Sequence, residues 1–337
     1  MNNICIFGAG SVGCYLGGLL LNAGQKITFI GRSKFQNELF ENGLSLSHFK
    51  NPKIDLDSKD IQFYTDYKAL SRANIILIAV KSQDTEQAAK AISKIAQPDT
   101  LIVSFQNGIS NVHELNKYLP NFKILRAVVP FNITGISPGH FHCGKDGNLS
   151  IENSSDQRLH DLKAAFSKSN QQVDLIDDIV PVQWGKLLVN LNNGLNALSG
   201  GPLRDGLYQP DYRRALAAVI SEALEIVRGA GIEPSNFGNA SADKMIKILG
   251  FPNFIYKIIM NRIVKIDSTA RSSMLDDLEM GRVSEIKYLQ GEIVDLADKT
   301  DKEAPYNTII LNLVEEAFGN QKSPKLSGQE ICSKLGL

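Results

Sequence analysis

Asn3-Ile4-Cys5-Ile6-Phe7-Gly8-Ala9-Gly10-Ser11-Val12-Gly13 stands almost at the start of the chain. The apolar run Asn3–Phe7 predicts a short strand. Apolar residues at Val12, Leu16, Leu19, Leu20 and Ala23 then recur with a 3.6-residue rhythm, which predicts a helix. Gly24 closes that helix, as glycine does just past a C-terminus. A GxGxxG loop has meaning in this setting, between a strand and a periodic helix. Gly8 allows the tight turn, Gly10 lets a pyrophosphate approach the backbone, and Gly13 lets the helix pack close to the sheet. The exposed N–H groups and the helix dipole supply an anion site, and Gly8, Ala9, Gly10, Ser11, Val12 and Gly13 are the expected cofactor-binding residues. The competing reading is a glycine-rich turn in some other α/β protein.

Further strands are expected at Lys26–Ile30, 74–80, 100–104 and 124–129, with a helix over 85–96. Strands alternating with helices predict a doubly wound parallel sheet of Rossmann type. Strands over 139–144 and 149–153 read as a hairpin turning at Asp146-Gly147. A helix over 156–169 and a strand over 172–176 follow. Past Asp178 the pattern is helical, with candidates at 179–198, 210–230, 240–249, 252–265, 272–280, 284–299 and 305–318. The expected division is 1–177, a dinucleotide-binding Rossmann domain, and 178–337, an all-helical domain for substrate and catalysis.

Composition limits what such a chain does. Its 337 residues suit two ordinary domains. Thirty-six basic residues balance thirty-six acidic ones, so no electrostatic footprint points to nucleic acid or an anionic membrane. The start lacks the basic region of a signal peptide. No window reaches the roughly 18 apolar residues of a membrane span. Four cysteines fit neither a disulfide framework nor a CxxC metal pair. A cytoplasmic enzyme is the expected class.

The residue after the second strand bears on the cofactor. NAD-preferring folds place Asp or Glu there for the ribose 2′-hydroxyl. This chain has Gly31-Arg32-Ser33-Lys34, two cations and a hydroxyl suited to a 2′-phosphate. NADP(H) is therefore expected; solvated loop charges are the plainer reading. Lys81 ends one strand and Gln106-Asn107-Gly108 follows another, at the carboxyl ends where ligands of open sheets collect. A turn alone would also explain Asn107-Gly108.

Trp184-Gly185-Lys186-Leu187-Leu188-Val189-Asn190-Leu191-Asn192-Asn193-Gly194 puts poor helix formers in a predicted helix. Lys186, Asn190 and Asn193 share one face. That stripe reads equally as the lining of a polar cleft between domains or as a solvated face. In Ser272-Ser273…Gly281-Arg282-Val283-Ser284-Glu285, Gly281 should interrupt a helix and Ser284 cap the next. Glu285 would then lie in the first turn of a helix over 284–299, where the dipole favours a carboxylate. His140-Phe141-His142-Cys143 invites a metal reading, but no HExxH or paired CxxC supports one and no metal is expected.

Together the GAGSVG loop, Ile30-Gly31-Arg32, Val80-Lys81, Gln106-Asn107-Gly108, Trp184–Asn190 and 272–290 resemble the ketopantoate reductase (2-dehydropantoate 2-reductase) family. The resemblance runs over almost the whole chain. It implies an active site between the two domains and NADPH-dependent reduction of ketopantoate to pantoate, towards pantothenate and coenzyme A. By position it makes Lys186 the proton donor, Asn190 and Ser273 substrate-binding, and Asn107 the asparagine near the nicotinamide. Glu285 matches a glutamate touching cofactor and substrate hydroxyls. Gly194 and Arg204 depart from the family pattern and leave the exact 2-oxo acid open. The other readings are a related NADP-dependent dehydrogenase and a non-catalytic NADP-binding sensor. The expected partner is a small 2-oxo acid, without nucleic acid or membrane, and a homodimer is left open.

Overall fold

The computed structural model describes residues 2–236, 240–263 and 270–337. Its strands are β1 (Asn3–Phe7), β2 (Lys26–Ile30), β3 (Leu44–His48), β4 (Ile54–Leu56), β5 (Gln62–Tyr64), β6 (Ile75–Ile78), β7 (Leu101–Ser104), β8 (Lys123–Val128), β9 (Ile133–Ser137), β10 (His140–Cys143), β11 (Leu149–Glu152) and β12 (Val173–Ile176). Eight of them form one sheet in the order β12-β11-β8-β7-β6-β1-β2-β5. From β5 to β8 every neighbour is parallel; β11 runs against β8, and β12 follows β11. This is the Rossmann-type sheet with two strands added at one edge.

Burial on both faces explains the apolar runs. Ile4 and Ile6 enter one core while Cys5 and Phe7 enter the other, and Ile75/Leu77 divide from Ile76/Ile78 in the same way. Alternating side chains of a strand point to opposite faces, so a strand covered on both sides is apolar throughout. All four cysteines are unpaired and buried.

The hairpin expected over 139–153 does not form. Strands β10 and β11 exist, but β10 pairs with β3 and β9 in a separate sheet of order β4-β3-β10-β9, while β11 joins the large sheet. The Asp146-Gly147 turn thus connects two sheets. The small sheet lies against the first helix (Ser11–Asn22), where a side chain at Gly18 would crowd Leu44 and Leu46.

The chain divides into two compact units, Met1–Ile179 and Val180–Leu337. The second is helical. Its long helix Pro210–Gly229 starts on a proline, suited to a first helical position. A buried stripe through Tyr212, Leu216, Val219, Ala223 and Val227 carries the packing of Ala242–Leu249, Gln290–Lys299, Pro305–Gly319 and Gly328–Leu335. Glu222 on this helix accepts the Tyr306 and Asn307 N–H groups at 2.8 and 2.9 Å, capping Pro305–Gly319.

Two expected helices are divided. The one over 179–198 breaks at Leu191 into Val180–Asn190 and Asn192–Ser199. The one over 284–299 becomes a 3₁₀ turn, Ile286–Tyr288, followed by the helix Gln290–Lys299. The helix read over 252–265 is Asn253–Ile263, and residues 264 and 265 lie outside the described residues. Among the described residues no helix is long and apolar enough to cross a membrane.

Candidate active site

Each glycine of the loop has its own physical reason. Gly8 has φ +108°, and a Cβ there would collide with the Ala79–Val80 backbone at the end of the neighbouring strand. A Cβ on Gly13 would collide with the Gly8 carbonyl and come 3.0 Å from Ile6. Gly10 faces open space, with nothing within 4 Å of its added Cβ. The loop is pinned by Gly8 and Ala9, whose N–H groups both donate to the Ile30 carbonyl at 3.0 and 2.9 Å. The first bond of the helix runs from Cys14 N to Gly10 O, and no side chain caps its start. The N–H groups of Ser11, Val12 and Gly13 therefore have no intrahelical acceptor. Open space at Gly10 beside uncapped donors fits the pyrophosphate of a dinucleotide.

Gly31 brings the second strand end alongside this loop, since a Cβ there would come 2.9 Å from that of Ala9. Arg32 follows, exposed, at the N-cap of the helix Ser33–Asn42, with its guanidinium 5.7 Å from the Phe35 ring centre. Lys34 differs from it in setting. It sits inside the helix, 3.9 Å from Glu38 and largely exposed.

Lys81 and Asn107 stand at the ends of β6 and β7 over a buried polar network. Gln106 donates to Thr85 Oγ1 at 2.7 Å and to the Val80 carbonyl at 3.3 Å. Thr85 Oγ1 donates to Ser82 O (2.7 Å) and also lies 2.9 Å from Asn111 Oδ1. The Asn107 carbonyl accepts from Ser82 Oγ at 3.2 Å and from the Asn111 amide. Gln106 thus ties two loops together beneath the surface. Sequence reading also misses Gln83, whose Oε1 is buried without a hydrogen-bond partner among the described residues. Its only sequence signal is nearness to Lys81.

In the helical unit Lys186 is partly buried on Val180–Asn190. Gly185 lets this helix press on the chain beyond it, since a Cβ there would collide with the Ser235 carbonyl. Desolvation lowers the Lys186 ammonium to about 8, against the pull of the Glu285 carboxylate. Glu285 is buried, ahead of the 3₁₀ turn instead of inside a helix, and Ser284 Oγ accepts from Ile286 N at 3.1 Å. The helix-dipole reading of Glu285 therefore fails, and nearness to Lys186 takes its place.

The asparagines divide by what they hold. Asn196 is fully buried, donating to Gly201 O at 2.8 Å and accepting from Ser272 N at 3.0 Å. Asn192 accepts from the Tyr212 hydroxyl at 2.8 Å. Asn190 and Asn193 are partly buried. Ser272 caps Ser273–Glu279 and reaches the Asn193 carbonyl at 3.4 Å, and Ser273, next in sequence, is exposed. Gly194 faces Gln290, Ile310 and Ile286, all within 3.2 Å of an added Cβ. Arg204 lies 3.8 Å from Asp205. His140 and His142 both sit 2.8 Å from Ser47 Oγ, across the β3–β10 pairing. Among the described residues no group of three or more His, Cys, Asp or Glu is placed to hold a metal ion.

A Rossmann-type unit with a glycine cradle, followed in sequence by a helical unit with a desolvated lysine beside a glutamate, defines a two-unit oxidoreductase. The family model described as ketopantoate reductase PanE/ApbA matches residues 4–156, and its C-terminal model matches 178–317. The chain belongs to the ketopantoate reductase family. It is 25% identical to a 2-dehydropantoate 2-reductase of Pyrococcus horikoshii over 328 residues, covering 93% of this chain and 96% of the relative. A PanE/ApbA family ketopantoate reductase from Ralstonia eutropha superposes with a TM-score of 0.79 at 26% identity, covering 94% of this chain and 99% of that one. A D-mandelate dehydrogenase, solved with NADH and anilino(oxo)acetate, shares the fold with a TM-score of 0.76 at 20% identity, covering 94% and 99%.

Proposed function

We propose that this protein reduces ketopantoate to pantoate with NADPH, on the way to pantothenate and coenzyme A, with Lys186 as the proton donor. The observation that carries the reading is the desolvated Lys186 ammonium beside the buried Glu285. The loop Gly8-Ala9-Gly10-Ser11-Val12-Gly13 holds the pyrophosphate, with the Ser11, Val12 and Gly13 N–H groups as its donors, Arg32 holds the 2′-phosphate, and Lys81, Asn107 and Glu285 hold further parts of the cofactor. NADPH supplies the hydride when bound. Lys186 Nζ hydrogen-bonds the ketone oxygen and passes it a proton as negative charge develops there. Ser273 binds the substrate carboxylate, while Asn190, Asn193 and Asn107 orient the acid without adding competing charge. Glu285 accepts a hydrogen bond from the substrate hydroxyl. The cytoplasm, whose reducing conditions suit four unpaired thiols, is the proposed location. The test follows NADPH absorbance with ketopantoate; no turnover with purified protein overturns the assignment.

Arg32 gives a separate expectation. NADPH should beat NADH by at least about tenfold in kcat/KM, as for one charge-assisted contact. Arg32→Ala should raise KM for NADPH and leave NADH use nearly unchanged, the pattern of lost binding energy. Equal losses with both cofactors would show that Arg32 does not read the phosphate.

A further inference from the structure

Gln290 is fully buried, and its Nε2 donates to the Leu191 carbonyl at 2.8 Å. That carbonyl lies where the chain breaks between the helices Val180–Asn190 and Asn192–Ser199. A side chain inserted into a helix ladder is an established cause of such breaks. Gly194 makes the insertion possible: a Cβ there would come 3.0 Å from Gln290 Nε2. The other end of the amide argues that the donor is what matters. Gln290 Oε1 is buried with no hydrogen-bond partner among the described residues. An orphaned buried oxygen is unfavourable, and a methionine would fill the same volume without one.

The positions of both partners give the contact its meaning. Leu191 lies five residues past Lys186, and Gln290 lies five past Glu285. The Leu191 N–H donates to Leu187 O at 3.0 Å, so Leu191 belongs to the turn that follows Lys186. Between Glu285 and Gln290 runs one tight turn, closed by Tyr288 N to Glu285 O at 2.9 Å and Leu289 N to Ile286 O at 3.1 Å. From this geometry we infer that Gln290 is a positioning residue, a clamp that sets the separation of Lys186 and Glu285 by joining the helix of one to the turn of the other. This rests on the proposed roles of Lys186 and Glu285. Gly194 then serves the clamp by leaving it room.

Gln290→Met tests the clamp, since it keeps length and volume while removing the donor. The expected result is a folded protein whose kcat falls roughly 10- to 100-fold, as for a small misplacement of reacting groups. Its NADPH Kd should change much less than kcat, since of the proposed cofactor contacts only Glu285 moves while the loop over 8–13, Arg32, Lys81 and Asn107 are untouched. A second readout needs no substrate. Labelling of Lys186 by an acylating reagent, followed against pH by mass spectrometry, should have its midpoint near 8 in the wild type and a displaced one in the variant. Should Gln290→Met fail to fold, Gly194→Ala keeps the amide but pushes it off Leu191, and the same changes are expected. Wild-type kcat and labelling midpoint in a folded variant, whatever its Tm, would reduce Gln290 to a packing residue and overturn the proposal. If the wild type does not reduce ketopantoate, the proposed function falls, and the labelling midpoint still decides whether the clamp exists.

Discussion

Lys186→Ala is expected to lower kcat for ketopantoate reduction by roughly 10²–10⁴-fold, the usual contribution of a positioned general acid. NADPH affinity should survive, because the glycine cradle lies in the other unit. The wild-type pH profile carries the same signature. With its ammonium lowered to about 8, Lys186 should give kcat/KM for reduction that is level below that pH and falls about tenfold per unit above it. The variant should lose that limb. Unfolding does not explain such a loss, and linkage shows why. The folded value lies below the ordinary 10.5, so the unfolded chain binds more protons between about 8 and 10.5, and stability rises with pH across that window. At neutral pH the buried ammonium is therefore a cost that alanine removes, and Tm should not fall on that account. Near-normal kcat in Lys186→Ala would show that Lys186 is not the proton donor.

The second large effect concerns the substrate. Ketopantoate and 2-oxoisovalerate share a branched carbon, but only ketopantoate carries a terminal hydroxyl. A site built to hydrogen-bond a hydroxyl leaves buried polar groups unpaired when it is missing, which discriminates by up to about 10⁴-fold. Buried Glu285 is the proposed acceptor of that hydroxyl, so a strong preference for ketopantoate in kcat/KM is expected. A longer dicarboxylic acid would need extra space or a second cation. Gly194 offers its face to Gln290 and Ile310, and Arg204 already has Asp205 within 3.8 Å. Comparing ketopantoate, 2-oxoisovalerate and 2-oxoglutarate decides the matter. Faster turnover of 2-oxoglutarate would end the ketopantoate assignment while leaving an NADPH-dependent reductase.

Local signals are legible in the sequence where local physics decides. The stretch 3–13 is a strand, a turn and a helix start in eleven residues, and Gly8 and Gly13 each have a steric reason within reach of their neighbours. The strands β1, β2, β6, β7 and β8 read as apolar runs because both faces are covered. Strand β10 reads as a strand, but its partner β3 lies some ninety residues earlier, and no turn signal reports pairing across that distance. Helix periodicity carries 179–198 and 284–299 straight through their breaks, where one side chain, Gln290, reaches Leu191 from a remote part of the chain. The same limit hides the work of Gln106, whose partners Val80 and Thr85 belong to the stretch between β6 and the start of the next helix. Proximity of Lys186 to Glu285, about a hundred residues apart, likewise comes from tertiary packing.

The buried thiols set how this protein meets oxidants and alkylating reagents. Cys5 and Cys14 lie in β1 and the first helix, Cys143 in β10 and Cys332 in the helix Gly328–Leu335, and each is at most 5% exposed. Burial raises all four thiols above their ordinary value, so the reactive thiolate is scarce while the fold is closed. A reagent can reach them only through transient opening, and the rate of attack then measures the free energy of that opening. Three such reporters lie in the first unit and one in the second, so mass-resolved alkylation should read the local stability of each separately. Oxidation of these four thiols becomes a consequence of unfolding, not a cause of it.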